Sequence, residues 1–205
     1  MIPGSENAWI GQVSFTGNTK MEFDYIVVGA GSAGCVLANH LTSDASNRVL
    51  LLEAGPDNTA LSLKMPAAVL SNLNSTEHNW AFQGEPEPEL NGRRIQHDRG
   101  KTLGGSSSIN GMVFIRGHAL DYEGWRQAGC PGWGYADVLP YFKRMETYGG
   151  GGNEYRGDNG LLHVHRAAPQ DPLTLAFLKA GDEAGYPATD DISGFCQEGF
   201  GVSDR

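Results

Sequence analysis

The passage from Phe23 to Glu53 constrains this chain more than any other. Phe23, Tyr25, Ile26, Val27 and Val28 are an aromatic and β-branched run closed by glycine, the composition of a strand buried on both faces. Gly29, Ala30, Gly31, Ser32, Ala33 and Gly34 follow at once. Then come Cys35, Val36, Leu37, Ala38 and Leu41, at the apolar spacing of a helix packed on a sheet. After a polar turn from Asp44 to Asn47, Val49 to Leu52 make a second buried strand ending in Glu53. A βαβ unit with parallel strands is implied.

A GxGxxG pattern alone is weak, but Gly29, Gly31 and Gly34 sit between a strand and a helix, the context the pattern requires. Gly29 permits a tight turn, Gly31 lets the backbone approach a pyrophosphate, and Gly34 lets the helix pack on the strand. Phosphate charge then rests at a helix N-terminus, where unpaired N–H groups and the macrodipole favour an anion. Glu53 lies nineteen positions after Gly34, where its carboxylate accepts hydrogen bonds from ribose hydroxyls and repels a 2′-phosphate. NADP is disfavoured, and FAD and NAD both stay open.

The rest of the chain is less regular. Pro66, Pro86 and Pro88 interrupt residues 55–100, which read as loop with a short helix near Ala67 to Leu73. Residues 100–117, GKTLGGSSSINGMVFIRG, combine a glycine and serine turn with small residues suited to close backbone packing. A helix is expected over Asp137 to Met145 with Pro140 in its first turn, then a glycine-rich loop over Tyr148 to Gly160. A strand at Leu161 to Val164 and a helix at Leu173 to Ala184 complete the reading. His163 and His165 share one face of that strand but have no third ligand, so a solvated face is expected and no metal is assigned. Trp125 and Trp133 are expected to pack in a core.

A net charge of −9 disfavours contact with nucleic-acid phosphates. Three widely spaced cysteines suggest reduced thiols, not a disulfide framework. The first twenty residues lack a basic segment followed by an apolar one, so no secretory leader is expected. No run approaches the roughly 18 apolar residues of a membrane span. Met21 precedes the first strong strand, so residues 1–20 are expected to be a disordered extension.

MEFDYIVVGAGSAGCVLANHL with LLLEAGP resembles the first βαβ unit of the glucose-methanol-choline (GMC) family of flavoprotein oxidoreductases. RGKTLGGSSSINGMVFIRG resembles that family's second flavin-binding segment, PGWGYADVLPYFKRME the helix after it, and GYPATDDISGFCQEGFG its substrate-side continuation. The matches run from about residue 21 to the end, and the wording lies nearest the choline-type and aliphatic-alcohol branches.

The resemblance implies an α/β fold: a doubly wound, Rossmann-like FAD-binding domain, incomplete here, over residues 21–160. Residues 161–205 would begin an α+β substrate domain or return to the FAD domain. It assigns Gly29, Ala30, Gly31, Ser32, Ala33 and Gly34 to the pyrophosphate, and Glu53 with Ala54 to the adenosine side. Arg99, Gly104, Gly105 and Ser106 would also approach the pyrophosphate; Asn110, Gly111, Met112 and Val113 would line the isoalloxazine, with Trp80 near the flavin. Some members carry a histidine bonded to the flavin where this chain has Ile109, so FAD is expected to be non-covalent.

The implied reaction is oxidation of a primary alcohol, choline-like or aliphatic, to an aldehyde by hydride transfer to flavin, with oxygen or a quinone-like compound as acceptor. The family's base is a histidine from a far carboxyl-terminal segment. No catalytic residue is therefore assigned, and the chain alone is expected to be inactive. A non-catalytic flavin-binding fragment, an NAD enzyme (which would leave residues 100–117 unexplained) and a fatty-acid photodecarboxylase-like member are the competing readings. A cytoplasmic location is expected, with peripheral attachment to the inner membrane left open.

Overall fold

The computed structural model describes residues 8–10, 21–169 and 171–205. The chain packs as two compact units, Met1–Met112 and Val113–Arg205.

In the first unit, β1 (Ala8–Ile10), β2 (Tyr25–Val28) and β3 (Val49–Leu52) form a parallel sheet in the order β1-β3-β2. The helix α1 (Ser32–Leu41) makes the crossover from β2 to β3. Ala30, Ala38 and Leu51 form its buried centre, and Val27 and Leu103 pack against them. The small residues on α1 are what let it lie close to the sheet.

Because Val27 faces this centre, strand alternation turns Ile26 and Val28 the other way. There they are 61% and 81% exposed. The expectation of strands buried on both faces therefore suits β3, where Val49, Leu50 and Leu51 are buried, and not the edge strand β2. An apolar run encodes a strand but not how many neighbours cover it. The amino-terminal extension also departs from expectation. Ala8–Ile10 run parallel to Val49–Leu51 as a third strand, and the remainder of residues 1–20 lies outside the described residues.

After β3 come α2 (Leu61–Lys64), a 3₁₀ turn at Pro66–Ala68, and α3 (Val69–Leu73). Met65 separates the helices at φ −103° and ψ 111°, the extended backbone that a residue before proline prefers. β4 (Phe82–Gln83) and β5 (Gln96–His97) form a short antiparallel pair, and a 3₁₀ turn spans Gly105–Ser108.

The second unit contains α4 (Ala119–Gln127), α5 (Tyr135–Met145), β6 (Glu146–Tyr148), β7 (Leu162–Val164) and α6 (Pro172–Glu183). α4 lies outside the elements expected from the sequence. Its signal is a reciprocal cap, in which His118 Nδ1 accepts the Leu120 N–H (3.1 Å) and Asp121 accepts the His118 N–H (2.8 Å). α5 begins before the expected Asp137, because Asp137 accepts the Gly134 N–H (3.0 Å) and Glu123 accepts that of Tyr135 (3.1 Å). Pro140 consequently lies inside the helix and not in its first turn.

β6 and β7 are parallel, with Thr147 opposite His163. A boundary at residue 160 would separate these paired strands, and the compact units divide instead between Met112 and Val113. Trp125 and Trp133 pack on each other at 5.8 Å but stay about half exposed, so neither is a core residue.

The centre of the second unit is ionic. Glu146 Oε1 accepts from Arg156 Nε (2.9 Å) and the Gly157 N–H (3.0 Å), and Arg116 Nη2 stands 2.8 Å from it. Arg156 Nη1 reaches Asp191 and Asp204, each at 2.8 Å, and Arg166 joins the same two acids. Arg156, Glu146 and Asp204 are fully buried. Burial opposes the charge on Arg156, yet its hydrogen bond to Asp204 and the nearby carboxylates outweigh it and hold the guanidinium above its ordinary pKa. Replacing Arg156 with leucine would leave Glu146 and Asp204 buried without a shared partner. We expect Arg156→Leu to cost about 3 to 5 kcal/mol in urea unfolding, the range for one-sided removal of a buried ion pair; a loss below about 1 kcal/mol, the scale of an exposed pair, would show that the network contributes little.

Candidate dinucleotide-binding site

The three glycines of the turn between β2 and α1 stand in different physical situations. Gly29 has φ +93°, a conformation L side chains rarely adopt, and its N–H donates to Leu52 O at 2.8 Å. A Cβ on Gly34 would lie 1.9 Å from Gly29 O, so only glycine lets the helix sit this close to the strand end. Gly31 is unlike both: φ is −76° and a Cβ there would meet only Gly105 Cα, at 4.0 Å. Protein packing does not demand glycine at 31, and the space in front of it is open.

Gly31 is also the N-cap of α1, and no side chain caps that helix among the described residues. No acidic residue occupies its first turn. Ser32 and Ala33 are exposed there. The result is a helix N-terminus with unpaired N–H groups facing an open cradle, suited to an anion.

Glu53, at the end of β3, reaches back to this turn. Its Oε2 accepts the Ala30 N–H at 2.8 Å and its Oε1 the Gly55 N–H at 2.9 Å. An ionised carboxylate has about four lone-pair sites, so roughly two remain for an external donor such as a ribose diol. Ala54 is exposed beside it.

Residues 99–112 run along the same turn. Gly104 N–H donates to Ala30 O at 2.7 Å, and a Cβ on Gly105 would stand 2.8 Å from Gly31 Cα. Thr102, fully buried, anchors the segment through its hydroxyl to Pro56 O (2.9 Å) and Asp57 O (3.0 Å). Ser106 Oγ accepts the Gly100 N–H at 3.0 Å. Arg99 is exposed, and its carbonyl accepts the Trp80 N–H at 2.9 Å. Trp80 stacks on Phe82 at 5.7 Å, and Lys101 Nζ lies 4.9 Å from its ring centre. Hydrogen bonds from the Asn79 and Gln96 amides hold the neighbouring Asp98 carboxyl below its ordinary pKa.

The segment ends in a strained turn. Met112 has φ +61°, and its N–H donates to Asn110 Oδ1 at 3.0 Å, which fixes that conformation. A Cβ on Gly111 would meet nothing within 4 Å. The expected residues up to Met112 thus gather in the first unit, whereas Val113 opens the second. Thr102 and Lys101 were not singled out in the sequence, since neither belongs to a periodic pattern. In the second unit His163 and His165 are both exposed, and no cluster of three metal-ligating side chains occurs among the described residues.

Comparison with known proteins agrees with this geometry. The GMC oxidoreductase profile matches residues 23–205, and the chain belongs to that family. It is 51% identical over 185 residues to the oxygen-dependent choline dehydrogenase of Sinorhizobium fredii, covering 90% of this chain and 34% of that protein. It is 50% identical over 192 residues to the mitochondrial choline dehydrogenase of Mus musculus, covering 90% and 32%. The chain spans about a third of the length of these relatives. Among solved structures it resembles pyridoxine 4-oxidase from Mesorbium loti, with a TM-score of 0.79 and 35% identity over 84% of this chain and 34% of that one. A formate oxidase follows with a TM-score of 0.77 and 26% identity over 89% and 34%.

The Glu53 geometry generates a two-part expectation. Glu53→Ala should weaken FAD by about 1.5 to 3 kcal/mol, the worth of hydrogen bonds to a charged group. It also strands the Ala30 and Gly55 N–H groups, so the melting temperature should fall. Glu53→Gln keeps an acceptor for one of them, and should recover stability more than affinity. Titration of apoprotein with FAD, alongside thermal melts, decides; unchanged affinity in both variants would remove Glu53 from the site.

Proposed function

We propose that this chain forms the FAD-binding part of an oxidoreductase that converts an alcohol to an aldehyde. The observation that carries the reading is the meeting of three features at one place: the uncapped N-terminus of α1, the Glu53 carboxylate, and residues 99–112 lying against Gly31. The first offers N–H groups to a pyrophosphate, the second acceptors to a ribose. The third gives a dinucleotide longer than a single Rossmann turn somewhere to lie, which favours FAD over NAD. Bound FAD supplies the hydride acceptor for the carbinol carbon.

This chain's own residues bind and orient. The N–H groups at Ser32 and Ala33 would neutralise pyrophosphate charge, and Glu53 would fix the adenosine end. The turn at Asn110–Met112, held by the Asn110 side chain, would set the backbone against the isoalloxazine. The cleft beside that turn has no histidine or carboxylate among its described lining residues, and the base that takes the proton of the alcohol hydroxyl is proposed to come from another part of the full-length protein. The family's histidine is the natural candidate. Oxygen is favoured as final acceptor by the names of the bacterial relatives, and a quinone-like acceptor is the alternative. No helix among the described residues is long and apolar enough to cross a membrane. The free thiols Cys35, Cys130 and Cys196 suit a reducing, cytoplasmic compartment.

Attachment of FAD is the testable detail. Ile109 is buried and offers no nucleophilic nitrogen, so the flavin should be held without a covalent bond. Acid precipitation of the holoprotein should leave the yellow colour in the supernatant. Colour retained in the denatured pellet would contradict non-covalent binding.

A further inference from the structure

Asn79 is 2% exposed, and its side chain uses every hydrogen-bonding position that a primary amide has. Its Nδ2 donates to Leu73 O and to Asp98 Oδ1, both at 2.7 Å. Its Oδ1 accepts the Ala81 N–H at 3.0 Å and the Arg99 N–H at 3.1 Å. One side chain thereby joins the end of α3, the turn after Trp80 and the start of the segment 99–112.

Each acceptor contact holds backbone that would not stay in place alone. Ala81 has φ +46°, a costly conformation for a residue with a Cβ, which persists only where its surroundings fix it. Arg99 begins a stretch packed on the glycine turn: a Cβ on Gly100 would collide with Gly105 O, and one on Gly105 would stand 2.8 Å from Gly31 Cα. Beside Asn79 the Lys101 N–H donates to His78 O at 2.8 Å and the Trp80 N–H to Arg99 O at 2.9 Å, which ties the two stretches together. Displacement of Arg99 is therefore passed through Gly100 and Gly105 to the space in front of Gly31.

That space is assigned to a pyrophosphate in the proposed function, and the present inference rests on that reading. We infer that Asn79 is a positioning residue that sets how tightly FAD is held, acting through Arg99 and Gly100 as one half of a donor–acceptor pair with Asp98.

The pairing is directional. Asp98 is half-buried and accepts from Gln96 Nε2 at 2.7 Å as well as from Asn79, and these two amides hold its carboxyl below its ordinary pKa. An ionised Asp98 has no proton to give, so position 79 must supply one. Aspartate at 79 would keep the acceptor for Ala81 and Arg99 but turn its second oxygen toward Asp98 Oδ1 and Leu73 O. Two carboxylates this close disfavour double ionisation, so the pair takes up one proton as pH falls. That proton restores the bond the amide made.

The test uses the full-length FAD holoenzyme that carries this chain, with retention of FAD measured by equilibrium dialysis. Asn79→Asp should weaken FAD at least about tenfold at about pH 8 and recover most of the loss at about pH 5.5, where the carboxylates share a proton. His97 and Arg99, whose charges also act on Asp98, are present in the wild type, which supplies the reference over the same interval. Combining Asn79→Asp with Asp98→Asn reverses the pair, the amide now donating from position 98. This double variant should bind FAD at least about fivefold tighter than Asn79→Asp at the higher pH, although Leu73 O loses its donor. A side chain that only filled space would give a loss independent of pH and not reversed by the second substitution. If Asn79→Asp cannot be purified with FAD, the double variant is still expected to be. Asn79→Asp holding FAD as tightly as the wild type at the higher pH, or a double variant no better than the single one, would overturn the inference and leave FAD binding at this turn standing. A wild-type protein that binds no FAD would overturn the proposed function and this inference with it.

Discussion

The close seating of α1 on the end of β2 underlies the rest of the first unit. It depends on Gly34, whose missing Cβ leaves room for Gly29 O. With the helix this close, its first N–H groups open at the carboxyl end of the parallel strands, where open α/β sheets bind ligands. Ala30 then joins two partners with its side chain fully buried: its N–H meets Glu53 and its carbonyl takes the Gly104 N–H. The glycine turn, the acid on the next strand and the distant segment 99–112 are one hydrogen-bonded assembly, so the proposed cofactor binding would be coupled to local folding there. Glu53 illustrates this coupling, because the carboxylate suited to ribose also satisfies two backbone donors.

The second unit is held by different physics. Arg156 joins Glu146, Asp191 and Asp204, which lie far apart in the sequence, and its guanidinium carbon lies 3.8 Å from the centre of the Tyr148 ring. A buried pair of this kind is weak evidence of net stability but a strong constraint on arrangement, since removing either partner strands a charge. It fixes the chain near Asp204, which pairs with Phe114 and Arg166.

What could be read from the sequence follows from how local the signals are. β2, α1 and β3 were legible because a strand run, a glycine turn and a helical stripe adjoin one another, and the acid at 53 comes at a fixed offset. The exposure of Ile26 and Val28 was not legible, since an apolar strand looks alike whether one or both faces are covered. The apolar spacing from Val138 onward marks α5 only from Asp137, whereas hydrogen bonds from Asp137 and Glu123 start the helix earlier. The buried ion network and the β6–β7 pairing join residues too far apart for periodicity to register. Of the site, the glycine turn and Glu53 carried their own chemistry. The role proposed for residues 99–112 rests on family resemblance, and the other residues lining the cleft beside Asn110 and Met112, Leu63, Met65 and Val69 among them, lie in a stretch with no regular pattern.

The open space before Gly31 is proposed to belong to a pyrophosphate. Gly31→Ala tests it directly, because the added methyl would be 4.0 Å from its nearest protein neighbour and the backbone φ of −76° suits alanine. FAD affinity of the variant should be measured by titration of the apoprotein, beside its unfolding midpoint. With a pyrophosphate against Gly31, stability should be unchanged or slightly higher and affinity lowered at least about tenfold, a loss of roughly 1.4 kcal/mol. Unchanged affinity at unchanged stability would show that no ligand backbone passes Gly31, and would contradict the assignment of this turn to the dinucleotide.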